Sequence, residues 1–195
     1  MEKLQNVDAL LVQQKKEWGE ILTGFETKNK YAIMDTSGNQ LYWAVEESSF
    51  LSRWFLKTFR PFTIHILASQ NSPVLRLNRP FHFFLHEMSI LDSTGKLLGI
   101  IKQKFSLFSR KFIVKDSTGR EIYKIFGPFL HPWTFRILKN AQEVGKISKR
   151  WSGLGKELFT DADNFNIVFP SGIDVNQKAI LLGALFLIDM LFFEK

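Results

Sequence analysis

The sequence predicts a mainly β fold, a meander of short antiparallel strands that ends in one hydrophobic α-helix. Three observations support this class. Strand-like segments alternate with turn sequences after Tyr31, an Asp-Ser-Thr-Gly turn recurs at a hairpin-sized interval, and residues 179–193 are almost entirely apolar. Such a run of hairpins is typical of a sandwich or a closed barrel, and the hairpins alone leave that choice open. A chain of 195 residues is long enough for one domain with a sizeable core.

The first element is expected to be a short amphipathic helix within residues 1–24. Its apolar positions recur at helical spacing, and Gly24 follows as a suitable stop. These positions are Val7, Leu10, Leu11, Trp18, Ile21 and Leu22. We expect the helix to pack on the β domain, which is predicted to comprise residues 25–195, rather than to act as a separate membrane anchor.

The strands are expected between short turn sequences that are rich in Asp, Ser, Asn and Gly. Asp and Ser side chains accept hydrogen bonds from the turn backbone, and Gly supplies the positive φ that many turns require. The predicted turns lie at residues 35–38, 69–71, 92–95, 116–119 and 139–141. The flanking segments, such as Phe-Ile-Val-Lys before the fourth turn, have strand-like composition.

The last element is a predicted helix at about residues 176–193. Its apolar run of about 15 residues reaches only about 22 Å as a helix, whereas the hydrocarbon core of a bilayer is about 30 Å thick. Asp189 lies inside the run, so the free energy of membrane insertion is only marginally favourable. A helix that is apolar on all sides must lie in lipid or inside protein. We expect it to form the core of the β domain, with a polar or cationic partner for Asp189.

Charge is concentrated in the middle of a chain whose formal net charge is +7. Residues 96–156 contain 14 Lys and Arg but only three acidic residues. Such a basic stripe favours anionic partners, either lipid headgroups or nucleic acid, although a solvated outer face of the sheet explains it equally well. Cysteine is absent, which excludes disulfides, thiolate metal sites and thiol nucleophiles.

Several ordered motifs resemble the phospholipid scramblase family. They are Thr-Asp-Ala-Asp-Asn-Phe-Asn-Ile-Val-Phe-Pro at residues 160–170, Gly-Lys-Ile-Ser-Lys-Arg-Trp-Ser-Gly at 145–153, Leu-Thr-Gly-Phe-Glu-Thr-Lys-Asn-Lys-Tyr at 22–31 and Arg-Pro-Phe-Thr-Ile at 60–64. The resemblance extends from about Val7 to the C-terminus. It implies a tubby-like fold, which is a closed antiparallel barrel of about 12 strands around the C-terminal helix. It also implies ATP-independent, calcium-linked, bidirectional movement of phospholipids between membrane leaflets.

A calcium site is expected at Asp161, Asp163 and Asn164, with Asp174 further along the chain. Calcium takes several oxygen ligands, which closely spaced carboxylates supply, and the resemblance implies a calcium site in this segment. Gly172 stands where the family carries its last acidic residue, so we expect weak binding. The alternation in Asn-Phe-Asn-Ile-Val-Phe is also typical of an ordinary strand.

A membrane-contacting loop is expected at residues 50–57. In many scramblases, the family that this chain resembles, the matching stretch is a cysteine cluster that takes palmitate, and large apolar residues stand at those positions here. The predicted contacts are Phe50, Leu51, Arg53, Trp54, Phe55, Leu56 and Lys57. Aromatic and cationic side chains together suit the headgroup boundary of an anionic membrane. The alternative is a loop folded onto the barrel with its apolar face buried. Residues 81–84 are a second apolar candidate.

No catalytic motif is recognisable, so an enzyme is not expected. There is no glycine-rich phosphate loop and no Gly-x-Ser-x-Gly motif, and His82 and His86 are predicted to lie on a strand. The basic residues of 145–153 resemble a nuclear import signal of some scramblases, but a strand and turn is favoured. The predicted function is a scramblase-like lipid facilitator on the cytoplasmic side of a membrane, either peripheral or anchored through the C-terminal helix. The alternative is a soluble module that binds anionic lipid headgroups; nucleic-acid binding is less favoured.

Overall fold

The described part of the chain forms a β-barrel that encloses an α-helix. The computed structural model describes residues 1–15, 27–47, 61–81, 84–149 and 164–193. The strands are β1 (Ala9–Gln14), β2 (Thr27–Met34), β3 (Gln40–Glu47), β4 (Phe62–Leu67), β5 (Pro73–Arg79), β6 (Glu87–Asp92), β7 (Leu97–Lys104), β8 (Ser109–Asp116), β9 (Glu121–Pro128), β10 (Thr134–Lys139), β11 (Gln142–Ser148) and β12 (Asn164–Val168). The helix α1 is Val175–Phe192, and short 3-10 turns lie at Glu2–Leu4 and Ser69–Asn71.

The sheet closes through its first and last strands. Each strand pairs antiparallel with the next one along the chain, and β1 pairs with both β2 and β12. In this ladder Leu11 lies opposite Asn166 of β12 and Met34 of β2. Closure pairs each of the twelve described strands on both sides, which removes the usual site of edge-to-edge aggregation from this sheet. The closed barrel of about 12 strands that the resemblance implied is therefore confirmed, and the sandwich alternative is wrong.

The predicted N-terminal helix is wrong where the structure describes it. Residues Ala9–Gln14 form strand β1, and residues 16–24 lie outside the described part of the chain. Leu10 and Val12 are fully buried in the barrel interior, whereas Leu11 packs in a small outer cluster with Ala32 and Met34. A few apolar residues fit helical spacing and strand alternation equally well. Pairing on both sides decides the outcome, because the barrel cannot close without β1.

Helix α1 fills the barrel. Every residue from 178 to 190 is buried, so all faces of the helix are covered rather than one stripe. Its contacts reach strands around the wall: Phe186 packs against Tyr31 of β2, Phe192 against Phe112 of β8, and Gln177 accepts a hydrogen bond from the Tyr123 hydroxyl of β9. By length and composition α1 could cross a membrane. The predicted core position of residues 176–193 is confirmed, with bounds 175–192.

A glycine on α1 lets the helix approach the wall closely. A Cβ atom placed on Gly183 would lie 2.7 Å from Ile90 Cγ1 on β6, a separation that side chains do not tolerate without moving. The small residue therefore sets the distance between helix and sheet here, as close packing of a protein interior requires.

The two ends of the barrel differ because consecutive strands alternate in direction. We call the end where α1 begins the turn end; it carries the short connections of hairpins β2–β3, β4–β5, β6–β7, β8–β9 and β10–β11. At the turn end Asp92 Oδ1 accepts from the Thr94 and Lys96 backbone N–H groups, and Asp116 Oδ1 accepts likewise from Thr118 and Arg120. The predicted Asp-capped turns are thus confirmed. We call the opposite end, where α1 ends, the loop end.

The β10–β11 turn provides a test of the turn chemistry. Asn140 and Ala141 both have positive φ, 51° and 65°, the type I′ pattern in which glycine is favoured. Ala141→Gly should raise the free energy of unfolding by roughly 0.5–1 kcal/mol, because an alanine in the left-handed region is strained. Denaturant unfolding measures this change. Gly119→Ala at φ 85°, where a new Cβ meets nothing within 4 Å, should destabilise instead; a loss of stability in Ala141→Gly would contradict this account.

Candidate functional site at the loop end of the barrel

Aromatic rings close the loop end around the last residues of α1. Phe192 stacks on Phe135 of β10 with ring centroids 5.9 Å apart. Phe193, the residue after the helix, stacks on Trp133 at 5.6 Å and contacts Phe165 of β12 at 5.4 Å. Large stacked rings bury much apolar area, so they seal the interior at this end.

Two cations lie over these rings. The Arg110 guanidinium is 4.5 Å from the Phe192 ring centroid, and Lys149 Nζ is 4.6 Å from that of Phe193. Both gain from the electron-rich ring faces and from their place at the carboxyl end of α1, where the helix dipole favours positive charge. Partial burial lowers the pKa of the Arg110 guanidinium, but an arginine remains charged at physiological pH.

Asp189 lies one turn before the end of α1 and is 5% exposed. The Tyr31 hydroxyl of β2 donates a 2.8 Å hydrogen bond to Asp189 Oδ2. A buried carboxylate is costly without such a donor. The polar partner that we expected for Asp189 is therefore confirmed, and it ties the helix to the barrel wall.

Further buried polar groups lie where β1 to β5 reach the loop end. Arg79 is 1% exposed, and its guanidinium nitrogen is 2.6 Å from His86 Nδ1. Asn29 donates a 2.6 Å hydrogen bond to Glu46 Oε2, and Glu46 is fully buried. Buried polar pairs rigidify the segments that carry them when their hydrogen bonds are made. His86 thus has a structural contact in this end of the barrel.

Comparison with known proteins places the chain in a family. The sequence profile of the Scramblase family matches residues 1–195. The chain belongs to the Scramblase family. Among the relatives that it resembles are phospholipid scramblase 1 of Mus musculus, at 39% identity over 209 residues, and phospholipid scramblase 2 of Bos taurus, at 38% over 208 residues. Both alignments cover 100% of this chain, which spans 64% of the mouse relative and 71% of the bovine one.

A solved structure also resembles this scramblase-family barrel. It is the X-ray structure of a protein from Arabidopsis thaliana, with a TM-score of 0.51 over 95% of this chain and 94% of that one. The sequence identity is 14%, so the likeness concerns the fold alone.

Of the predicted calcium ligands, the structure describes Asn164 and Asp174 and places these two apart. Asn164 is the first residue of β12, at the loop end, whereas Asp174 lies beyond the other end of that strand and caps α1. Asp174 Oδ1 accepts from the Gln177 backbone N–H at 2.8 Å. Asp161 and Asp163 lie outside the described residues. In the ranges that the structure describes, no three His, Asp or Glu side chains group as metal ligands.

The predicted membrane-contact residues of the first candidate loop, 50–57, lie outside the described residues. The strands that this segment connects are described: β3 ends at Glu47 and β4 begins at Phe62, both at the loop end. For the second candidate, residues 81–84, Phe81 is 46% exposed and Phe84 is 81% exposed, while residues 82 and 83 are not described.

Sequence reasoning missed exposed apolar residues in two other connections at the loop end. Phe105, Leu107 and Phe108, between β7 and β8, are 76%, 69% and 86% exposed, and Leu130, between β9 and β10, is 91% exposed. The apolar composition of these two connections could have revealed them from the sequence. Connections between strands are normally polar, whereas the segments Phe-Ser-Leu-Phe and Phe-Leu-His-Pro-Trp are not. Because apolar strand segments flank both connections, these loop residues were not distinguished from strand residues.

The Tyr31–Asp189 hydrogen bond predicts a stability effect. Tyr31→Phe should lower the free energy of unfolding by about 1–3 kcal/mol, because it removes a donor from a buried carboxylate. Denaturant unfolding of the purified protein measures this change. Tyr42→Phe is the matched control: the Tyr42 hydroxyl accepts from the Lys3 backbone N–H at 3.1 Å near the opposite end, so its loss should cost less. Equal effects of the two variants would contradict a special role for Asp189.

Proposed function

We propose that this protein is a membrane-associated, scramblase-like protein that lets phospholipids move in both directions between leaflets without ATP. The observation that carries the proposal is the Scramblase family match over residues 1–195. It is supported by relatives named phospholipid scramblases at 35–39% identity across the whole chain. We place the protein on the cytoplasmic side of the membrane, in line with its lack of cysteine.

The filled barrel constrains the mechanism. Helix α1 is buried on all faces from residue 178 to 190, so a phospholipid cannot pass through the interior while the helix stays there. Removing the helix would expose its apolar side chains and those of the wall. At about 25 cal/mol per Å² of apolar surface, the cost would be tens of kcal/mol. Lipid movement is therefore proposed to occur outside the barrel, where an inserted part of the protein perturbs the headgroup layer.

The filled barrel also supports a second candidate function. A barrel with no interior path is also the structure expected of a module that binds anionic lipid headgroups and transports nothing. The net charge of +7 supports either function. Binding to nucleic acid would draw on the same charge, but family membership favours lipid.

A liposome experiment separates the two functions. Vesicles carry a fluorescent phospholipid in both leaflets, and dithionite quenches the outer leaflet. A scramblase-like protein should extend quenching to the inner lipid, whereas a binding module should leave it protected. Replacing Phe50, Leu51, Phe55 and Leu56 with Ser should reduce both scrambling and vesicle flotation, because four large apolar side chains contribute up to roughly 6–12 kcal/mol on full burial.

Several outcomes of this experiment would count against the proposal. Flotation of the wild-type protein without added quenching would favour the binding module. A folded quadruple variant that floats like the wild type would remove residues 50–57 from the membrane contact. An unfolded quadruple variant would favour the alternative in which this loop is buried on the barrel. Parallel titration with duplex DNA at rising salt tests the nucleic-acid alternative.

We further propose a weak calcium site on Asp161, Asp163 and Asn164. The Asn164 Oδ1 atom supports this choice, because it is buried and accepts no hydrogen bond from any residue that the structure describes. A carbonyl oxygen in that state is a suitable calcium ligand. Asp174 is engaged at the amino end of α1, and we leave it out of the site. Calcium bound there would neutralise the charge of Asp161 and Asp163, which would reduce the repulsion between these carboxylates and an anionic surface.

The calcium site predicts a contrast between two variants. Asp161→Asn combined with Asp163→Asn should abolish calcium binding, which we expect in the roughly 10⁻⁴ to 10⁻³ M range. Asp174→Ala should leave the calcium affinity unchanged but lower the free energy of unfolding by about 0.5–2 kcal/mol, since it removes a helix cap. Isothermal titration and denaturant unfolding measure the two effects. A sub-micromolar site, or loss of calcium binding in Asp174→Ala, would contradict this assignment.

A further inference from the structure

We propose that Phe105, Leu107, Phe108 and Leu130 insert into the interfacial layer of an anionic phospholipid bilayer, so that the barrel docks with its loop end first. This inference rests on the proposed membrane association and names the surface that performs it. We call these four residues the apolar tip. It is separate from the predicted contact at residues 50–57.

The first support is the distribution of exposed apolar side chains. In the described ranges, every large apolar residue that is strongly exposed lies in one of three connections, β5–β6, β7–β8 or β9–β10, and all three are at the loop end. These residues are Phe81, Phe84, Leu85, Phe105, Leu107, Phe108, Phe129, Leu130 and Trp133. Single exposed apolar residues are ordinary, whereas a concentrated group indicates an interaction site. At the turn end of the same barrel, no large apolar residue of the described connections is strongly exposed.

The second support is that the β7–β8 and β9–β10 connections form one surface. The strands that carry them are paired, with Ser109 opposite Pro128 at the base of both loops. The Ser106 and Ser109 hydroxyls are 2.8 Å apart, and Arg110 donates a 2.9 Å hydrogen bond to the Pro132 carbonyl. The bases of the loops are therefore held by hydrogen bonds while the apolar tip points away from the barrel. Side chains in this state can be buried in a partner with little reordering of the backbone.

The third support is charge, which identifies the partner as an anionic membrane. Lys104 and Lys111 lie opposite each other in the last pair of the β7–β8 ladder, directly below the apolar tip, and both are exposed. Like charges facing each other across strands are unfavourable, and an anionic surface would relieve that repulsion. Protein interfaces are depleted in lysine, whereas aromatic and aliphatic side chains flanked by lysine are typical of membrane-surface segments.

Docking in this way sets the orientation of the molecule. The carboxyl end of α1 and its aromatic seal would face the bilayer, and the Asp-capped turns would face the solvent. The last residue of β3 and the first residue of β4 also lie at the loop end.

Vesicle flotation tests the apolar tip. Vesicles contain equal amounts of phosphatidylcholine and phosphatidylserine, and the variant carries Phe105→Ser, Leu107→Ser, Phe108→Ser and Leu130→Ser. The fraction bound should fall at least about tenfold, since even partial burial of four such side chains favours the membrane. Lys104→Gln with Lys111→Gln should weaken binding severalfold, most clearly at low salt. Lys96→Gln with Lys139→Gln makes the same change in charge at the turn end and should bind like the wild type.

A labelling experiment locates the contact without relying on that variant. Because the chain contains no cysteine, a single introduced cysteine can carry an environment-sensitive fluorophore. A label at Phe108→Cys should shift to an apolar emission on vesicle addition and be quenched by bromolipids. A label at Ser117→Cys, in an exposed turn of the turn end, should do neither.

The outcomes separate this inference from the proposed function. If the wild type floats but the tip variant floats equally, or the label at position 108 stays in water, the apolar tip is overturned and the membrane-associated function stands. If the wild type does not float, both are overturned. Should the tip variant fail to fold, as judged by circular dichroism, the labels at positions 108 and 117 decide. A label at 117 that enters the lipid would reverse the proposed orientation.

Discussion

The burial of an apolar helix inside a closed sheet is the constraint on which the rest of this structure depends. Helix α1 has no polar face, so it is soluble only if the barrel covers it completely. The barrel in turn has twelve strands, whereas side chains alone fill the interior of a barrel of about eight. Each part supplies the apolar surface that the other must bury. Hence β1 and β12 must pair, Gly183 must be small, and Asp189 must find a donor in the wall.

The direction of α1 makes the two ends of the barrel unequal. At the turn end the helix begins with a capped amino terminus, and the hairpins close in short turns stabilised by their own aspartates. At the loop end the helix finishes among aromatic rings with Arg110 and Lys149 over them. Cations, rings and long connections therefore gather on one side. This asymmetry makes the two ends of the barrel chemically different, and the proposed docking with the loop end first rests on that difference.

The structure also limits what a scramblase-family protein of this kind can do. Its interior is occupied, so it resembles neither a channel nor a carrier with an internal cavity. With the interior occupied, the free-energy barrier for moving a lipid headgroup across the bilayer must be lowered within the membrane, outside the barrel. In the mechanism proposed above, side chains inserted from one end of the barrel disturb lipid packing locally. A headgroup-binding module would make a similar contact without completing transport. The same fold is therefore compatible with both functions. They differ in how deeply the protein inserts into the lipid layer and how strongly it disturbs lipid packing.

Local signals in the sequence determined much of the fold. The Asp-capped turns, the strand-like flanks and the apolar C-terminal run each depend on near neighbours in the chain, and each is found where the pattern placed it. The weak insertion tendency of residues 179–193, with Asp189 inside them, also favours a position in a protein core over one in lipid. Family motifs, rather than periodicity, selected a barrel over a sandwich, because closure depends on pairing between the two ends of the chain.

Tertiary structure decided what depends on distant residues. Leu10, Leu11 and Val12 are compatible with either helix or strand, and only the partners on β2 and β12 make them a strand. Asn164 and Asp174 are close in sequence, but a strand between them carries them to opposite ends of the barrel. Phe108 and Leu130 are residue types that are usually found in a core. They are exposed because their loops lie beyond the last strand pairs. The sequence determined which residues are apolar; the closed ladder decided which of them the interior could accommodate, because a filled barrel has room only for side chains that point inward.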